Sequence, residues 1–335
     1  MDPKSRPIVT RMRPRTLIEA EFEKREVTAM ERLGVVESSR SEYPCDALFV
    51  PKKGNQMRYV CDLRPVNARI LRDQLRLPML YALVETVARW KAVILLDLMA
   101  AFWQLPLDEA TSELFAFHTV RGTYHYRRMP FGYKNASAEM QRVTEELIGS
   151  DPCRVCFIDD IALGATERTK DPEMAAIANL DRLLHKMEKL NLTCQVEKCT
   201  FFPLEVNLLG YQIKGNRIRP HPERLRKLLA MEPPYDKLGL QRVAAVFREF
   251  IPRYADLTLL LTEALKKNAM GAQQDVQKAH KKLLEAVATL TALTPYDEEA
   301  HMIVETDASE VAASGVIWQQ RPGSKELQPL VFFSK

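Results

Sequence analysis

Two adjacent carboxylates within an apolar segment constrain this chain more than any other feature of its sequence. In CFIDDIALG, residues 156–164, Asp159 and Asp160 separate two short apolar runs that predict the strands of a β-hairpin. Neighbouring carboxylates repel each other, and burying one is costly unless an opposite charge is bound. The pair must therefore face water in a turn or face a cation. A solvated turn is the commoner role of an isolated Asp-Asp pair, but exposed turns rarely lie within so apolar a hairpin.

A third carboxylate closes another predicted strand. Residues 92–98 form an apolar run that reads as a buried strand ending on Asp97. If this strand lies beside the hairpin, three carboxylates converge and raise one another's pKa unless divalent cations neutralise them. Oxygen-only ligands favour Mg²⁺ or Mn²⁺, and a zinc site on Cys153 and Cys156 lacks a second cysteine pair at matching spacing. Two such ions, about 3.5–4 Å apart, could hold the attacking and leaving oxygens of a phosphoryl transfer.

Length and composition set the broad class of protein. The chain has 335 residues, 46% of them hydrophobic, so two or three domains are expected. Strand and helix patterns alternate irregularly, which predicts an α+β fold. The net charge of +4 permits nucleic-acid binding without requiring it. No apolar run approaches the ~20 residues of a membrane span and no secretory signal is evident, so an intracellular, cytoplasmic protein is expected, with a virus-like particle or the nucleus as alternatives.

The beginning of the chain is basic. Its cationic residues are Lys4, Arg6, Arg11, Arg13 and Arg15. Only Asp2 opposes them over the same stretch. This arm either binds phosphates or is a solvated, disordered end.

Hydrophobic periodicity and turn residues predict the remaining elements. Residues 49–62 read as a hairpin. A helix is predicted over 137–148, with Ser137 as its N-cap and Gly149 as its stop. An amphipathic helix is predicted over 173–190, with a buried face made of Ile177, Leu180, Leu184 and Met187. Further helices are predicted at 223–231, 238–250 and 273–293, and further strands at 301–307, 315–318 and 330–333.

Six short segments occur in a fixed order along the chain. They are KKGNQMRYVCDLRPVN, LLDLMAAFWQL, MPFGYKNASAEMQR, FIDDI, EKCTFF and LLGYQI. Together they resemble the reverse transcriptases of LTR retrotransposons, closest to the gypsy type, over nearly the whole chain. The resemblance implies a right-hand polymerase fold of fingers, palm and thumb. It also implies RNA-directed DNA polymerase activity with an RNA or DNA template, a base-paired primer and dNTPs.

The resemblance assigns the metal site. Three palm aspartates of the family hold two Mg²⁺ ions, and their positions match Asp97, Asp159 and Asp160. The backbone carbonyl of Leu98 is expected to help hold one ion. Lys198 lies near the family's candidate proton donor to pyrophosphate.

The resemblance also assigns nucleotide and nucleic-acid contacts. The nucleotide-binding positions match Lys52, Lys53, Arg58, Ala101, Phe102 and Phe131. Phe102 occupies the steric-gate position, where its ring would exclude a 2′-hydroxyl. The template and primer positions match Pro130, Gly132, Phe157, Ile158, Leu209 and Gly210. Asp62 and Arg64 also match the pattern and are expected to form a structural ion pair.

The end of the chain, IVETDASEVAASGVIWQQ, resembles the start of a ribonuclease H domain, with Asp307 at its first catalytic position. The other acidic residues of that site have no counterpart before Lys335, so no ribonuclease H activity is expected. The implied division is a basic arm at 1–20, fingers and palm at 21–210, a thumb at 211–268, a helical connector at 269–299 and a truncated ribonuclease H-like segment at 300–335.

One other function stays open, a degenerate or domesticated retroelement fragment that binds nucleic acid or protein without catalysis. A metal-dependent nuclease centred on Asp307 is not expected, because its partner carboxylates are missing. No oligomeric state follows from the sequence.

Overall fold

The computed structural model describes residues 10–52, 56–166, 169–230, 247–257, 259, 272–288, 290–308 and 313–334. Helices and strands are mixed along the chain, which confirms the predicted α+β class. The chain divides into two compact units. The first contains the described residues of Met1–Pro78, Leu95–Leu163 and Ile177–Thr200, and the second those of Met79–Ile94, Gly164–Ala176 and Phe201–Lys335. None of the helices in these described ranges combines the length and apolarity needed to cross a membrane.

The bounds of the elements are as follows. The helices are α1 (Leu17–Arg32), α2 (Arg64–Asn67), α3 (Leu80–Ala88), α4 (Glu109–Leu114), α5 (Ala136–Ile148), α6 (Pro172–Lys189), α7 (Pro222–Leu229) and α8 (Ala272–Ala288). The strands are β1 (Val36–Ser38), β2 (Ala47–Lys52), β3 (Gln56–Cys61), β4 (Trp90–Asp97), β5 (Ala116–Thr119), β6 (Gly122–Tyr126), β7 (Arg154–Phe157), β8 (Asp160–Thr166), β9 (Thr200–Phe201), β10 (Val206–Leu208), β11 (Tyr211–Lys214), β12 (Arg217–Pro220), β13 (His301–Ala308), β14 (Ala313–Gln320) and β15 (Gln328–Ser334). Short 3₁₀ turns lie at Ala101–Gln104, Val196–Lys198 and Arg248–Phe250.

The first unit contains a hairpin and a small antiparallel sheet. Strands β2 and β3 pair with each other, which confirms the hairpin predicted at 49–62. The second sheet has the order β1-β6-β5. Helix α1 begins with a capping box, because the Thr16 hydroxyl accepts from the Glu19 N–H while the Glu19 carboxylate accepts from the Thr16 N–H. The apolar core of this region consists of Val27, Met30, Val35, Val36, Cys45, Cys61, Leu63, Val66, Phe115, Phe117, Tyr124 and Tyr126.

Arg15 ties the segment before α1 to this core. Its side chain is only 5% exposed, and Nη2 donates to Asp46 Oδ1 at 2.6 Å. Its Nε lies 3.5 Å from Oε1 of Glu23, whose side chain is fully buried, and its guanidinium lies over the Phe49 ring. Arg15 is therefore neither solvated nor available to phosphates, and both interpretations of the basic arm are wrong at this residue. The Arg13 side chain is 59% exposed, so both interpretations of the basic arm still apply to it.

A four-stranded sheet with the order β7-β8-β4-β9 carries the acidic residues. The buried strand that was predicted to end on Asp97 is confirmed as β4. Strands β7 and β8 are antiparallel neighbours, which confirms the hairpin around the Asp pair. Gly164 lies in β8, where a Cβ atom would be 2.4 Å from the Ala92 carbonyl oxygen and 2.6 Å from the Trp90 ring. The close approach of these backbones therefore requires glycine.

Helix α5 starts earlier than its sequence indicates. The predicted N-cap, Ser137, lies inside the helix, and the N-cap is Asn135, whose side chain makes no capping bond. The reason is a backbone turn in which the Ala136 N–H donates to the Tyr133 carbonyl, so the helix is initiated by main chain rather than by a side chain. Gly149 ends the helix with φ of 63°, as predicted.

The buried face of helix α6 agrees only in part with the predicted one, because Met187 is buried as expected and two other predicted residues are not. Ile177 and Leu184 were expected to be buried but are 43% and 45% exposed. The buried positions are Ala176, Asn179, Leu183 and Met187. The Asn179 side chain explains the rotation, because its Oδ1 accepts from the buried Arg154 Nε at 2.6 Å. A periodicity that counts only apolar residues does not include such a polar contact.

The second unit contains two three-stranded antiparallel sheets, β10-β11-β12 and β13-β14-β15. The three strands predicted between 301 and 333 are thus confirmed, each somewhat longer than expected. Helices α7 and α8 share a core that consists of Leu228, Phe247, Ile251, Tyr254, Leu283 and Val287.

Three helix predictions in this unit need correction. Helix α7 begins at Pro222, one residue before its predicted start, and ends at Leu229. Proline is tolerated in the first turn because the backbone N–H that it lacks would have no partner within the helix. Helix α8 ends at Ala288 rather than 293, because Leu293 exchanges backbone hydrogen bonds with Ile218. The helix predicted at 238–250 lies mostly outside the described residues, and its described end is a 3₁₀ turn.

Candidate active site

The three predicted aspartates lie at the ends of adjacent strands in the first unit. Asp97 is the last residue of β4. Asp160 is the first residue of β8 and pairs with Phe157, the last residue of β7. Asp159 and Ile158 form the two-residue turn between these strands. Because β8 and β4 are neighbours in the sheet, the strand ends bring the acidic residues to one region.

The electrostatics of the three carboxylates show that they influence one another. The pKa of Asp160 is raised to about 6, first by desolvation and then by the charges of Asp159 and Asp97. Asp159 and Asp160 nevertheless remain open to solvent, so water screens part of this repulsion. The pair is thus both exposed and electrostatically strained. The two roles considered for it, a solvated turn and a cation site, are compatible.

The turn that carries Asp159 contains a strained residue. Ile158 has φ of 59°, a conformation that a β-branched side chain rarely adopts. Its N–H donates to Oε1 of Gln141 at 2.6 Å, and Gln141 is buried on α5. The Gln141 Nε2 donates to Glu145 Oε1 at 2.9 Å. Sequence reasoning missed Gln141, whose spacing from the Asp pair carries no signal of this contact.

Asp97 faces a cation of the chain itself. Lys198 Nζ lies 3.4 Å from Asp97 Oδ1, with the two side chains 58% and 37% exposed. The Asp97 carbonyl accepts from the Gln195 N–H at 2.8 Å. The structure therefore places Lys198 beside one of the acidic residues, and its predicted role as proton donor stays a prediction.

The backbone pairing of Leu98 fixes the direction of its carbonyl. Leu98 and Cys194 form an antiparallel bridge whose two hydrogen bonds run from Gln195 N to Asp97 O and from Met99 N to Thr193 O. In such a non-hydrogen-bonded pair, the carbonyl of the central residue points away from the partner strand. Together with the carboxylates of Asp97, Asp159 and Asp160, this carbonyl forms a set of oxygen donors that suits a hard divalent cation.

The acidic side chains do not yet have the arrangement of metal ligands. Over the described ranges, no three His, Cys, Asp or Glu side chains are arranged closely enough to hold a metal ion. All six cysteines, including Cys153 and Cys156, are free thiols. The Asp97 contact to Lys198 is one reason for the open arrangement, because it directs an Oδ1 atom toward Nζ.

The predicted gate residue, Phe102, packs edge-on against Phe131. The Phe102 and Phe131 ring centroids lie 5.4 Å apart at 66°, and Phe131 also contacts Trp103. Ala101, the first residue of the 3₁₀ turn, is buried. Ala100 precedes it with φ of 45°, which turns the chain sharply after β4.

Pro130 and Gly132 lie next to Phe131 in the following loop. Pro130 is buried. Gly132 has φ of 87°, a conformation that favours glycine. Its carbonyl accepts from Asn67 Nδ2 at 2.8 Å, which fixes the loop to the segment after β3. The structure therefore brings Phe102, Phe131 and this loop together.

The nucleotide-binding residues predicted in the β2–β3 hairpin are described only in part. Lys53 lies outside the described residues, and Lys52 closes β2. Arg58 lies in β3, paired with Val50.

The predicted structural ion pair is confirmed beyond this hairpin. Arg64 Nη2 and Nε contact the Asp62 carboxylate at 2.6 and 2.7 Å. These hydrogen bonds lower the pKa of Asp62.

The remaining predicted residues belong to the second unit. Leu209 and Gly210 form the turn between β10 and β11, with φ of 51° and 81°. The Arg224 guanidinium lies against Gly210, leaving no room for a Cβ there. Asp307 lies in β13, 64% exposed, with Oδ2 3.6 Å from Arg253 Nη1.

Comparisons with known proteins agree with this architecture. A family described as "Reverse transcriptase (RNA-dependent DNA polymerase)" matches residues 50–213. One described as "RNase H-like domain found in reverse transcriptase" matches residues 273–335.

Among curated relatives, the Retrovirus-related Pol polyprotein from transposon 412 of Drosophila melanogaster is 32% identical over 302 residues, covering 86% of this chain and 24% of the relative. That from transposon 297 of the same organism is 29% identical over 325 residues, covering 92% of this chain and 29% of the relative. The Transposon Tf2-3 polyprotein of Schizosaccharomyces pombe is 26% identical, covering 90% and 23%. The chain thus spans about a quarter of the length of these relatives.

Solved structures share the fold. A foamy viral protease-reverse transcriptase in complex with double-stranded DNA superposes with a TM-score of 0.80 at 18% identity, covering 99% of this chain and 58% of that one. The same kind of protein in complex with an RNA/DNA hybrid gives a TM-score of 0.75 at 18% identity, with 99% and 45% covered. The predicted polymerase fold is therefore confirmed.

Proposed function

The chain belongs to the reverse transcriptases of retrotransposon Pol polyproteins, with a ribonuclease H-like region after the polymerase domain, and we propose that it extends a primer 3′-hydroxyl with dNTPs on an RNA or DNA template. The observation that carries this proposal is the group of three aspartates at adjacent strand ends, where desolvation and then the charges of Asp159 and Asp97 raise the pKa of Asp160. Bound cations would relieve the repulsion among these carboxylates. Two-metal phosphoryl transfer requires a site of this kind.

The metal site would be built from this chain's oxygen donors. Asp97, Asp159, Asp160 and the Leu98 carbonyl would hold two Mg²⁺ ions, with Mn²⁺ as a substitute. When bound, the ions neutralise the phosphates and activate the primer hydroxyl. Lys198 would leave Asp97 and donate a proton to the departing pyrophosphate, a role supported by its position beside that carboxylate.

The nucleotide would lie between the β2–β3 hairpin and the Phe102 region. Lys52, Lys53 and Arg58 would bind the triphosphate and cover the incoming base. Ala101 would line the nucleotide-binding site, and the Phe102 ring would exclude nucleotides that carry a 2′-hydroxyl. The contact between the Phe102 and Phe131 rings supports this role, because it fixes the ring that would act as the gate.

Template and primer contacts complete the proposal. The base pair being formed and the primer end would be lined by Pro130, Gly132, Phe157 and Ile158. The turn formed by Leu209 and Gly210 would support the primer. Since most such contacts reach phosphates, affinity for template-primer should fall as salt rises. Neither the site nor the relatives favour the alternative of a non-catalytic retroelement fragment.

The division of the chain is proposed on the same grounds. Fingers and palm would occupy 21–210, the thumb 211–268, the connector 269–299 and the ribonuclease H-like segment 300–335, with the basic arm at 1–20. Asp307 would mark the first acidic position of the ribonuclease H-like segment. Six free thiols suit a reducing, cytoplasmic environment, which we include in the proposal.

Primer extension on an RNA template tests the proposed activity. The wild-type chain should extend a labelled primer with dNTPs and Mg²⁺, and Asp159→Asn should abolish extension. Asp181→Asn is the matched control, because Asp181 is a 71% exposed carboxylate on α6 away from the site. Equal extension by the wild type and Asp159→Asn, or none by the wild type, would refute the proposal.

A further inference from the structure

The side chain of Gln104 joins two backbone segments beside the acidic site. Its Nε2 donates to the Met99 carbonyl at 2.6 Å and to the Thr193 carbonyl at 2.9 Å. Its Oε1 accepts from the Thr193 N–H at 2.7 Å. Both amide hydrogens and the amide oxygen are therefore used, and these three partners are main-chain groups. The Thr193 hydroxyl adds a longer contact to Oε1, at 3.5 Å. The amide pairs with Thr193 as a neighbouring strand would.

These two segments surround a proposed metal ligand. Met99 directly follows Leu98, and the Met99 N–H donates to the Thr193 carbonyl at 3.0 Å. On the other side of Leu98, the Asp97 carbonyl accepts from Gln195 N–H at 2.8 Å. The contact between the segments is a single isolated bridge rather than a continuing ladder. Gln104 supplies the bonds that further strand residues would otherwise supply.

The turn between β4 and Gln104 explains why a side chain is needed. After Met99 the chain reverses through Ala100, which has φ of 45°, and enters the 3₁₀ turn. Strand pairing therefore stops one residue after Leu98. Without another attachment, the Leu98 carbonyl would lie at a frayed strand end, where local opening is easiest.

We propose that Gln104 is a positioning residue that fixes the Asp97–Leu98 strand end, and with it the backbone carbonyl of the metal site. The effect of Gln104 on catalysis rests on the proposed polymerase function. The attachment of the strand end by the Gln104 hydrogen bonds does not. Gln104 acts through main-chain groups and needs no contact with substrate or metal. A loss of position of about 1 Å at such a site reduces rates by about 100-fold.

Two substitutions separate the hydrogen bonds from the bulk of the side chain. Gln104→Met keeps the length but removes all three bonds. Gln104→Glu keeps an acceptor for the Thr193 N–H but places a carboxylate against the Met99 and Thr193 carbonyls, which repel it. Thr193→Val is the matched control, because it removes only the long contact from the Thr193 hydroxyl to Gln104 Oε1 and retains the three main-chain partners of Gln104. Gln104 is only partly buried, so the variants should fold.

Amide hydrogen exchange of the full 335-residue chain tests the attachment directly. Without metal, the Thr193 and Met99 amides should exchange at least about tenfold faster in Gln104→Met than in the wild type or Thr193→Val. Unchanged exchange in Gln104→Met would refute the attachment, whether or not the chain polymerises.

Metal binding and kinetics test the consequence. Mn²⁺ affinity, measured from the electron paramagnetic resonance of free Mn²⁺, should fall about tenfold in both Gln104 variants and stay unchanged in Thr193→Val. In primer extension, kcat should fall and the Mg²⁺ concentration for half-maximal rate should rise, while KM for dNTP stays constant. Faster exchange with unchanged Mn²⁺ affinity would refute the positioning role. A wild-type chain without polymerase activity would instead count against the proposed function, and the exchange result would still decide the attachment.

Discussion

The buried ion pair of Arg15 gives the sharpest test of how the amino-terminal segment is held. Replacing Arg15 with Met would leave Glu23, whose side chain is 0% exposed, without its cation, and Asp46, whose side chain is 7% exposed, with only Arg13 nearby. Removing one partner of a buried ion pair costs about 3–5 kcal/mol because the remaining charge stays desolvated. The lower end applies here, since Arg15 Nε and Glu23 Oε1 make no hydrogen bond. We therefore expect Arg15→Met to lower the free energy of unfolding of the first unit by about 3 kcal/mol.

Arg13 provides the control that this prediction needs. It approaches the same Asp46 carboxylate, with Nε 3.4 Å from Oδ2, but its side chain is 59% exposed. An exposed ion pair contributes less than about 1 kcal/mol, so Arg13→Met should have little effect. The two substitutions remove the same charge two residues apart, and only burial distinguishes them.

Urea unfolding followed by Trp103 fluorescence is the suitable assay. Trp103 packs against the core of the first unit, whereas Trp90 and Trp318 belong to the second, so both of these would be replaced with Phe in the test background. With a slope of about 2 kcal/mol per molar urea, Arg15→Met should lower the midpoint by about 1.5 M. Equal midpoints for the Arg15 and Arg13 variants would refute the argument that burial sets the strength of this pair.

Three further predictions concern the site. Gly164→Ala should lower stability by about 1–3 kcal/mol in thermal unfolding, because its Cβ would lie 2.4 Å from a backbone oxygen, and an unchanged melting temperature would contradict the close packing. The pKa of Asp160, about 6, is above its ordinary value, so ionisation of this carboxyl should destabilise the metal-free fold as pH rises toward 6. Protonation should conversely weaken Mn²⁺ affinity as pH falls below 6, and a pH-independent affinity would contradict this. Phe102→Val should increase ribonucleotide incorporation about tenfold in primer extension, and unchanged selectivity would show that the ring is not the gate.

The fold could be predicted from the sequence where a pattern is local. The strand that ends on Asp97 and the hairpin around Asp159 and Asp160 follow from apolar runs of the right length, and both are confirmed. The face of α6 could not be predicted in this way, because a buried hydrogen bond between Asn179 and Arg154 decides it. A polar residue that is buried for its partner looks like a surface residue in a periodicity count.

The site could be predicted in its acidic residues but not in their supports. Asp97, Asp159 and Asp160 are predicted because they lie in motifs that resemble those of the reverse transcriptases. Gln141 and Gln104 are not, because each acts by bonding to main-chain groups, and a backbone partner leaves no trace in the composition of a motif. The sequence also gives no sign that Arg15 is buried, since its partners are 8 and 31 positions away.

The charges of the site are compensated unequally, and this asymmetry explains why the adjacent pair can persist. Within the described ranges, the ion pair that reaches any of the three carboxylates is the one between Lys198 and Asp97. No described cation pairs with Asp159 or Asp160, and the repulsion there is relieved by solvent and by the raised pKa of Asp160. Neutralising this hairpin with a lysine would stabilise the metal-free chain but would compete with an incoming cation. Strain at Ile158, held by Gln141, instead keeps an uncompensated charge at the tip, where a bound cation gains the most.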